Sequence, residues 1–257
     1  MRLMKRILSA AAVLALSASL LVGCSSTASS VPASASSAAE STVSSVEETA
    51  SSAVDENEAA AAQLLNDLTG SYQELWPVIL ADEYKQPWLD DCTALVGEEN
   101  AEAAFEKLSS MVTSDVYGED AVEAYANGGG AYFCGFTNSL ATLTFDGETS
   151  TISGTDKDGN VLFSHTYHYI GMEPVHGLYE FESDDADSGE FTYFFLAPDT
   201  SAETYHIEFR YGSDAEALSQ YDAGEYAYWV ASGISTDCDQ TMIDNCIELF
   251  CAENLAG

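Results

Sequence analysis

After Gly128-Gly129-Gly130 the chain changes its hydrophobic period, and no other feature limits the fold as much. Between residues 131 and 230 short aromatic and β-branched runs alternate with turn signals. These runs are Ala141–Phe145, Thr149–Ser153, Val161–Ile170, Gly177–Phe181, Phe191–Leu196 and Tyr205–Tyr211. Runs of this length and spacing predict a meandering antiparallel sheet or a small barrel. Asp146-Gly147 marks one turn and Asp156-Lys157-Asp158-Gly159-Asn160 another. The second superficially matches a calcium loop, but its glycine is misplaced and no glutamate follows at the required distance. It reads as a hairpin turn.

Helical patterns flank this region. Glu58 to Leu68 places Leu64, Leu65 and Leu68 on one face and ends near Gly70. Tyr72, Leu75, Trp76, Val78, Ile79 and Leu80 continue an apolar helical pattern interrupted at Pro77. Residues 99–126 look helical, with a stripe of Ala103, Ala104, Phe105, Leu108 and Met111, and Ala121–Tyr125 as a separable helix. The chain closes with a helix that Asp237 or Asp239 can cap, its stripe being Ile243, Cys246, Ile247 and Phe250. The expected fold is mainly β with flanking helices, in the order helix, barrel-like sheet, helix. No internal repeat is visible.

The first residues read as an export signal. Arg2, Lys5 and Arg6 form a basic flank, and Ile7 to Val22 is apolar apart from small residues. The stretch ends Leu21-Val22-Gly23-Cys24, which resembles the lipobox of bacterial lipoproteins. A transmembrane anchor is the competing reading, but the stretch is short for a span. The expectation is a signal peptide over 1–23 and lipid on Cys24, with two acyl chains because one binds only marginally. Residues 25–57 hold 12 serines and no aromatic residue. Such a segment cannot offset its ordering entropy, so 24–57 reads as a lipidated cysteine and a disordered Ser/Ala-rich tether. Its r.m.s. reach would be roughly 30 Å. Residues 58–257 form one domain by length. The expected location is extracytoplasmic, anchored to the cell membrane.

Charge narrows the partners. All 43 acidic residues lie after Cys24, but only Lys85, Lys107, Lys157 and Arg210 of the seven basic ones do. Loss of the leader therefore takes the formal net charge from −36 to −39. Nucleic acid and anionic surfaces are repelled, and divalent cations, polyamines and basic peptides are favoured. Simple solubility explains the acidity equally well. Five cysteines remain beyond Cys24, namely Cys92, Cys134, Cys238, Cys246 and Cys251. An exported chain permits disulfides, yet the odd count leaves a thiol over and no CxxC pair is present. Most read as buried free thiols.

Chemistry-bearing motifs are few. The four histidines are His165, His168, His176 and His206. No nucleophile elbow, P-loop, dinucleotide fingerprint or His-Glu-x-x-His occurs, so no enzyme is indicated and metal or ligand binding remains.

A series of landmarks resembles the ZinT (YodA-type) zinc/cadmium-binding domain family. Leu68-Thr69-Gly70-Ser71-Tyr72-Gln73-Glu74-Leu75-Trp76-Pro77 is similar to its opening. Leu196-Ala197-Pro198, Tyr205-His206-Ile207 and Tyr211-Gly212-Ser213-Asp214 with Leu218 resemble its run through the metal site. Tyr226-Ala227-Tyr228 and the helix over 239–251 match its tail, so the resemblance spans most of 66–253. It implies a lipocalin-like (calycin) antiparallel β-barrel with added helices. It also implies zinc or cadmium binding outside the cytoplasm and a partner in a zinc uptake transporter.

The family's site uses a His-x-His pair on a strand plus a histidine upstream of the Ala-Pro. Residues i and i+2 of a strand share a face, so both imidazoles would enter the barrel mouth. Three histidines leave a fourth tetrahedral position for water or a carboxylate. Here His206 falls on the second histidine of the pair, Thr204 on the first and Phe194 on the upstream one, with the register open by one residue. The site is therefore degenerate. Either Glu203, Asp199 or one of His165 and His168 completes a metal set with His206, or metal binding is lost. On a strand His165 and His168 face opposite sides, so at most one points inward.

Two functions follow. One is a surface-tethered zinc-binding accessory to zinc uptake; the other is a lipocalin-like module that takes a small molecule or a basic partner without metal. The aromatic strands either fill the barrel or line a cavity.

Overall fold

A computed structural model describes residues 56–198 and 204–255. A helix α1 (56–67) runs into strand β1 (Gly70–Glu74), then α2 (Leu75–Ile79), α3 (Lys85–Val96), α4 (Ala101–Ser110) and α5 (Glu119–Ala126). Six strands follow: β2 (Thr142–Asp146), β3 (Thr151–Thr155), β4 (Val161–Met172), β5 (Tyr179–Ser183), β6 (Tyr193–Leu196) and β7 (Ile207–Gly212). The short α6 (Ala215–Leu218), β8 (Ala231–Ser235) and α7 (Gln240–Leu255) complete the chain. The eight strands close into an antiparallel barrel in chain order, with β8 pairing β1. This is the lipocalin-like barrel with flanking helices that the sequence predicts. No helix among the described residues is long and apolar enough to cross a membrane.

Turn chemistry sets the register. The Asp146 carboxylate accepts from the Glu148 and Thr149 backbone N–H groups at 3.1 and 3.3 Å. Asp156 accepts from Asp158 and Asn160, and Gly159 takes φ +81°. The 156–160 segment is thus a hairpin turn held by its own aspartate. The Asp214 carboxylate caps α6, and the Asp239 Oδ1 accepts the Met242 N–H at 2.9 Å at the start of α7.

Alternation divides the strands between two cores. Leu143, Phe145, Ile152, Phe163, Phe181, Phe194, Phe209 and Tyr211 are buried together inside the barrel. The Phe163 and Phe191 rings stack at 4.0 Å, and Phe194 lies 5.4 Å from Tyr167 and from Tyr211. Aromatic rings thus pack against one another across the interior. The second core lies between the barrel's outer face, at Ile234, and helices α2, α3, α4 and α7. All four apolar stripe residues of the last helix are buried there.

Two helical expectations change and one helix is new. Residues 70–74 are a strand, not the start of a helix, because pairing with both β2 and β8 closes the barrel. The 99–126 helix is broken between α4 and α5, where Thr113 bridges Phe133. α3 has no counterpart in the sequence reading.

Candidate metal centre

Strand β7 decides where His206 goes. Ile207, Phe209 and Tyr211 enter the barrel core, so His206, Glu208 and Arg210 turn to the outer face. There α7 covers His206, whose Nδ1 lies 4.0 Å from the Cys246 Sγ. The expected entry of this imidazole into the barrel mouth is not what the fold gives, because the apolar residues of β7 have taken the inward positions.

The surroundings of His206 fix its chemistry. Nδ1 donates to the Thr204 carbonyl oxygen at 2.6 Å, and the Thr204 hydroxyl donates to the His206 carbonyl, also at 2.6 Å. That bond directs Nε2 toward Glu208, whose Oε1 is 3.6 Å away. A carbonyl that orients a ring through its other nitrogen is the usual support of a metal-binding imidazole. The gap is too long for a hydrogen bond. Two donors each roughly 2.0–2.1 Å from one ion stand close to that far apart. Burial pushes the ring toward its neutral form, but the Cys246 sulfur and the Glu208 carboxylate outweigh it and hold the pKa well above 6.5. The balance favours the protonated ring, with Nε2 on the Glu208 side.

The other histidines each have their own carboxylate. His168 projects from β4 with its side chain 53% exposed and its Nδ1 2.8 Å from Asp184. Its strand is three places from β7 in the barrel, so His168 does not join His206. His165 lies on the opposite face, 16% exposed, with Nδ1 2.7 Å from Asp185 and its ring stacked beside Phe163. His176 approaches the fully buried Glu173 at 3.2 Å and lies 3.6 Å from the Tyr221 ring. Glu203, Asp199 and Cys24 fall outside the described residues. Among the described residues no group of three His, Cys, Asp or Glu side chains is arranged around a metal position.

Glu208 is the neighbour the sequence reading missed. The signal was the i, i+2 spacing itself, applied forward from His206 instead of back to Thr204. Phe194, aligned with the family's upstream histidine, is buried in the barrel and packs on Phe209 and Tyr211. It faces away from the site.

Next along β7, Arg210 is fully buried. Its guanidinium donates to the carbonyls of Leu218, Gln220 and Tyr226 and lies 4.1 Å from the Tyr221 ring. It ties the 218–226 segment to the barrel. A cleft of about 320 Å³ opens between Glu74, Trp76, Leu80, Val112, Phe133 and Cys134. The Glu74 carboxylate there accepts the Phe136 N–H at 2.5 Å.

No protein-family model matches the chain, and no curated protein matches it. Comparison with solved structures finds ZinT-like domains. The Zn(II)-bound ZinT-like domain of Streptococcus pneumoniae AdcA is 16% identical, with a TM-score of 0.45. The match covers 72% of this chain and 89% of that domain. The Zn(II)-bound AdcA of the same organism is 14% identical at a TM-score of 0.44, and the match spans 35% of its length.

Proposed function

We propose that this chain is an exported, lipid-tethered zinc-binding protein, accessory to zinc uptake, with the ion as its cargo. The organisation we infer is a signal peptide over 1–23, a lipidated Cys24 with a tether to residue 57, and a binding domain over 58–257. The observation that carries the reading is the approach of the Glu208 carboxylate to the His206 Nε2 at 3.6 Å. The Thr204 carbonyl supports it by fixing the ring from behind. The landmarks shared with ZinT domains point to the same metal. The excess of acidic residues favours a cation and disfavours nucleic acid.

Two protein donors leave the remaining tetrahedral positions to water or to a partner's side chain. Such a site holds an ion weakly and releases it readily, which suits transfer to a transporter. A catalytic reading draws nothing from the Cys246–His206 contact, because Cys246 is only 3% exposed on the buried face of α7.

Calorimetric titration of the soluble chain from residue 25 onward with zinc tests this reading. One site is expected in the wild type, weakened at least tenfold in His206→Ala. A wild-type affinity no tighter than the variant's overturns it.

A further inference from the structure

Helices α3 and α7 meet in the outer core with Cys92 and Cys251 facing each other. Their sulfurs are 4.0 Å apart, both side chains are fully buried, and the two residues are 159 positions apart in the chain. The Trp88 and Phe250 rings, one from each helix, pack at 5.8 Å and hold the two backbones together. The other described cysteines have different surroundings. Cys246 lies on His206, Cys134 is buried near Ser232, and Cys238 is partly exposed ahead of α7.

We propose that Cys92 and Cys251 form a disulfide that staples the last helix to α3 in the exported protein. The proposal rests on the export reading above, because a reducing compartment would keep both thiols free. Rotation of the two side chains moves sulfurs 4.0 Å apart toward a bond of roughly 2.0 Å.

The chemistry is thiol–disulfide exchange with an extracytoplasmic disulfide oxidant. The thiolate of one cysteine attacks the oxidant's disulfide and forms a mixed disulfide, releasing one oxidant thiolate. The second cysteine, as thiolate, then displaces the remaining oxidant sulfur. Two protein thiols lose two protons and two electrons, and the oxidant leaves as a dithiol.

Burial dictates the order of events. In the packed state burial raises the pKa of both thiols. A buried thiol with few thiolates is a poor nucleophile. The bond therefore forms before α7 packs onto α3. Since α7 also carries Cys246 onto His206, the staple would secure one wall of the proposed metal site.

The test starts from the chain from residue 25 onward, refolded in a glutathione redox buffer, denatured, alkylated and weighed intact. Three of the five thiols are expected to be modified, with a peptide map joining Cys92 to Cys251. Five modified thiols, or a linkage between other cysteines, overturn the proposal. Thermal unfolding supplies a second measurement. Reductant should lower the midpoint of the wild type and leave that of Cys92→Ala/Cys251→Ala unchanged. An equal response of both to reductant also rejects the bond. A pair that closes in glutathione but is reduced in chain isolated from its own cells rejects the export reading instead. Zinc titration is scored separately from all of these.

Discussion

Glu208 follows His206 by two residues at the start of β7, and its Oε1 lies 3.6 Å from the His206 Nε2. Both side chains stand on the outer face of the barrel because Ile207 and Phe209 occupy the inner one. If the pair shares an ion, Glu208→Gln keeps the shape, removes the charge and leaves a poorer donor. Zinc affinity should fall about tenfold to a hundredfold by calorimetry. An unchanged affinity would remove Glu208 from the site.

Proton linkage gives an independent check. His206 is held well above its usual pKa in the metal-free chain by Cys246 and Glu208, against the opposing effect of burial. A cation at Nε2 must displace that proton, so zinc binding should release protons and tighten as pH rises toward the raised pKa. Calorimetry in buffers of different ionisation enthalpy measures the release directly, and no buffer dependence at neutral pH would contradict the linkage.

Two histidines should tilt the pH dependence of stability in opposite directions. For His206 the folded pKa is raised, so its contribution is full below the unfolded value near 6.5 and fades as pH climbs through the folded value. For His176 burial lowers the folded pKa, despite the opposing pull of Glu173. The unfolded chain then binds more protons, and stability falls as pH drops below 6.5 toward the folded value. Urea midpoints across pH 5 to 9, taken without metal, should show the alkaline loss reduced in His206→Gln and the acid loss reduced in His176→Gln.

The sequence exposed most of the barrel because its strands alternate. The aromatic runs ahead of β2 to β7 all became strands, shifted by about two residues at their ends. β8 was illegible for a physical reason. Ala231–Ser235 is covered inside by the barrel core and outside by helices, so both faces carry small or apolar residues and no period appears. β1 was hidden because it runs directly into α2 without a turn, and only Tyr72 of its five residues is buried. The Glu208 partner was missed through register. Tyr205 takes φ +64°, so the strand proper starts only at Ile207 and Thr204 lies beyond the bend. Alternation then runs forward from His206 and not back.

Placing a histidine at position 194, where the ZinT resemblance sets an upstream ligand, should therefore fail. Phe194 is fully buried among Phe163, Tyr167, Phe209 and Tyr211, on the barrel face opposite to His206. Phe194→His would put a polar ring in an aromatic core without a partner. The expected cost is about 3–5 kcal/mol, comparable with truncating a buried phenylalanine, and no gain in zinc affinity follows. Chemical denaturation and titration of the same variant read both outcomes.

Helix α1 lies against the barrel at Gly147, in the turn between β2 and β3. A Cβ there would fall 2.4 Å from the Asn66 Cα and 2.6 Å from the Leu65 carbonyl oxygen, all of it backbone of α1. The Thr69 hydroxyl accepts the Gly147 N–H at 3.0 Å and fixes the approach from the other side. Backbone cannot swing aside as a side chain does, so Gly147→Ala must push α1 off the barrel end, where Leu64, Leu65 and Leu68 are buried. The expected loss is about 1–3 kcal/mol, the range for overpacking a filled site. Hydrogen exchange should show faster opening in α1, while α7 and the His206 region keep their protection because they lie in the other core. Loss of protection at α7 together with α1 would mean that the two cores do not open separately.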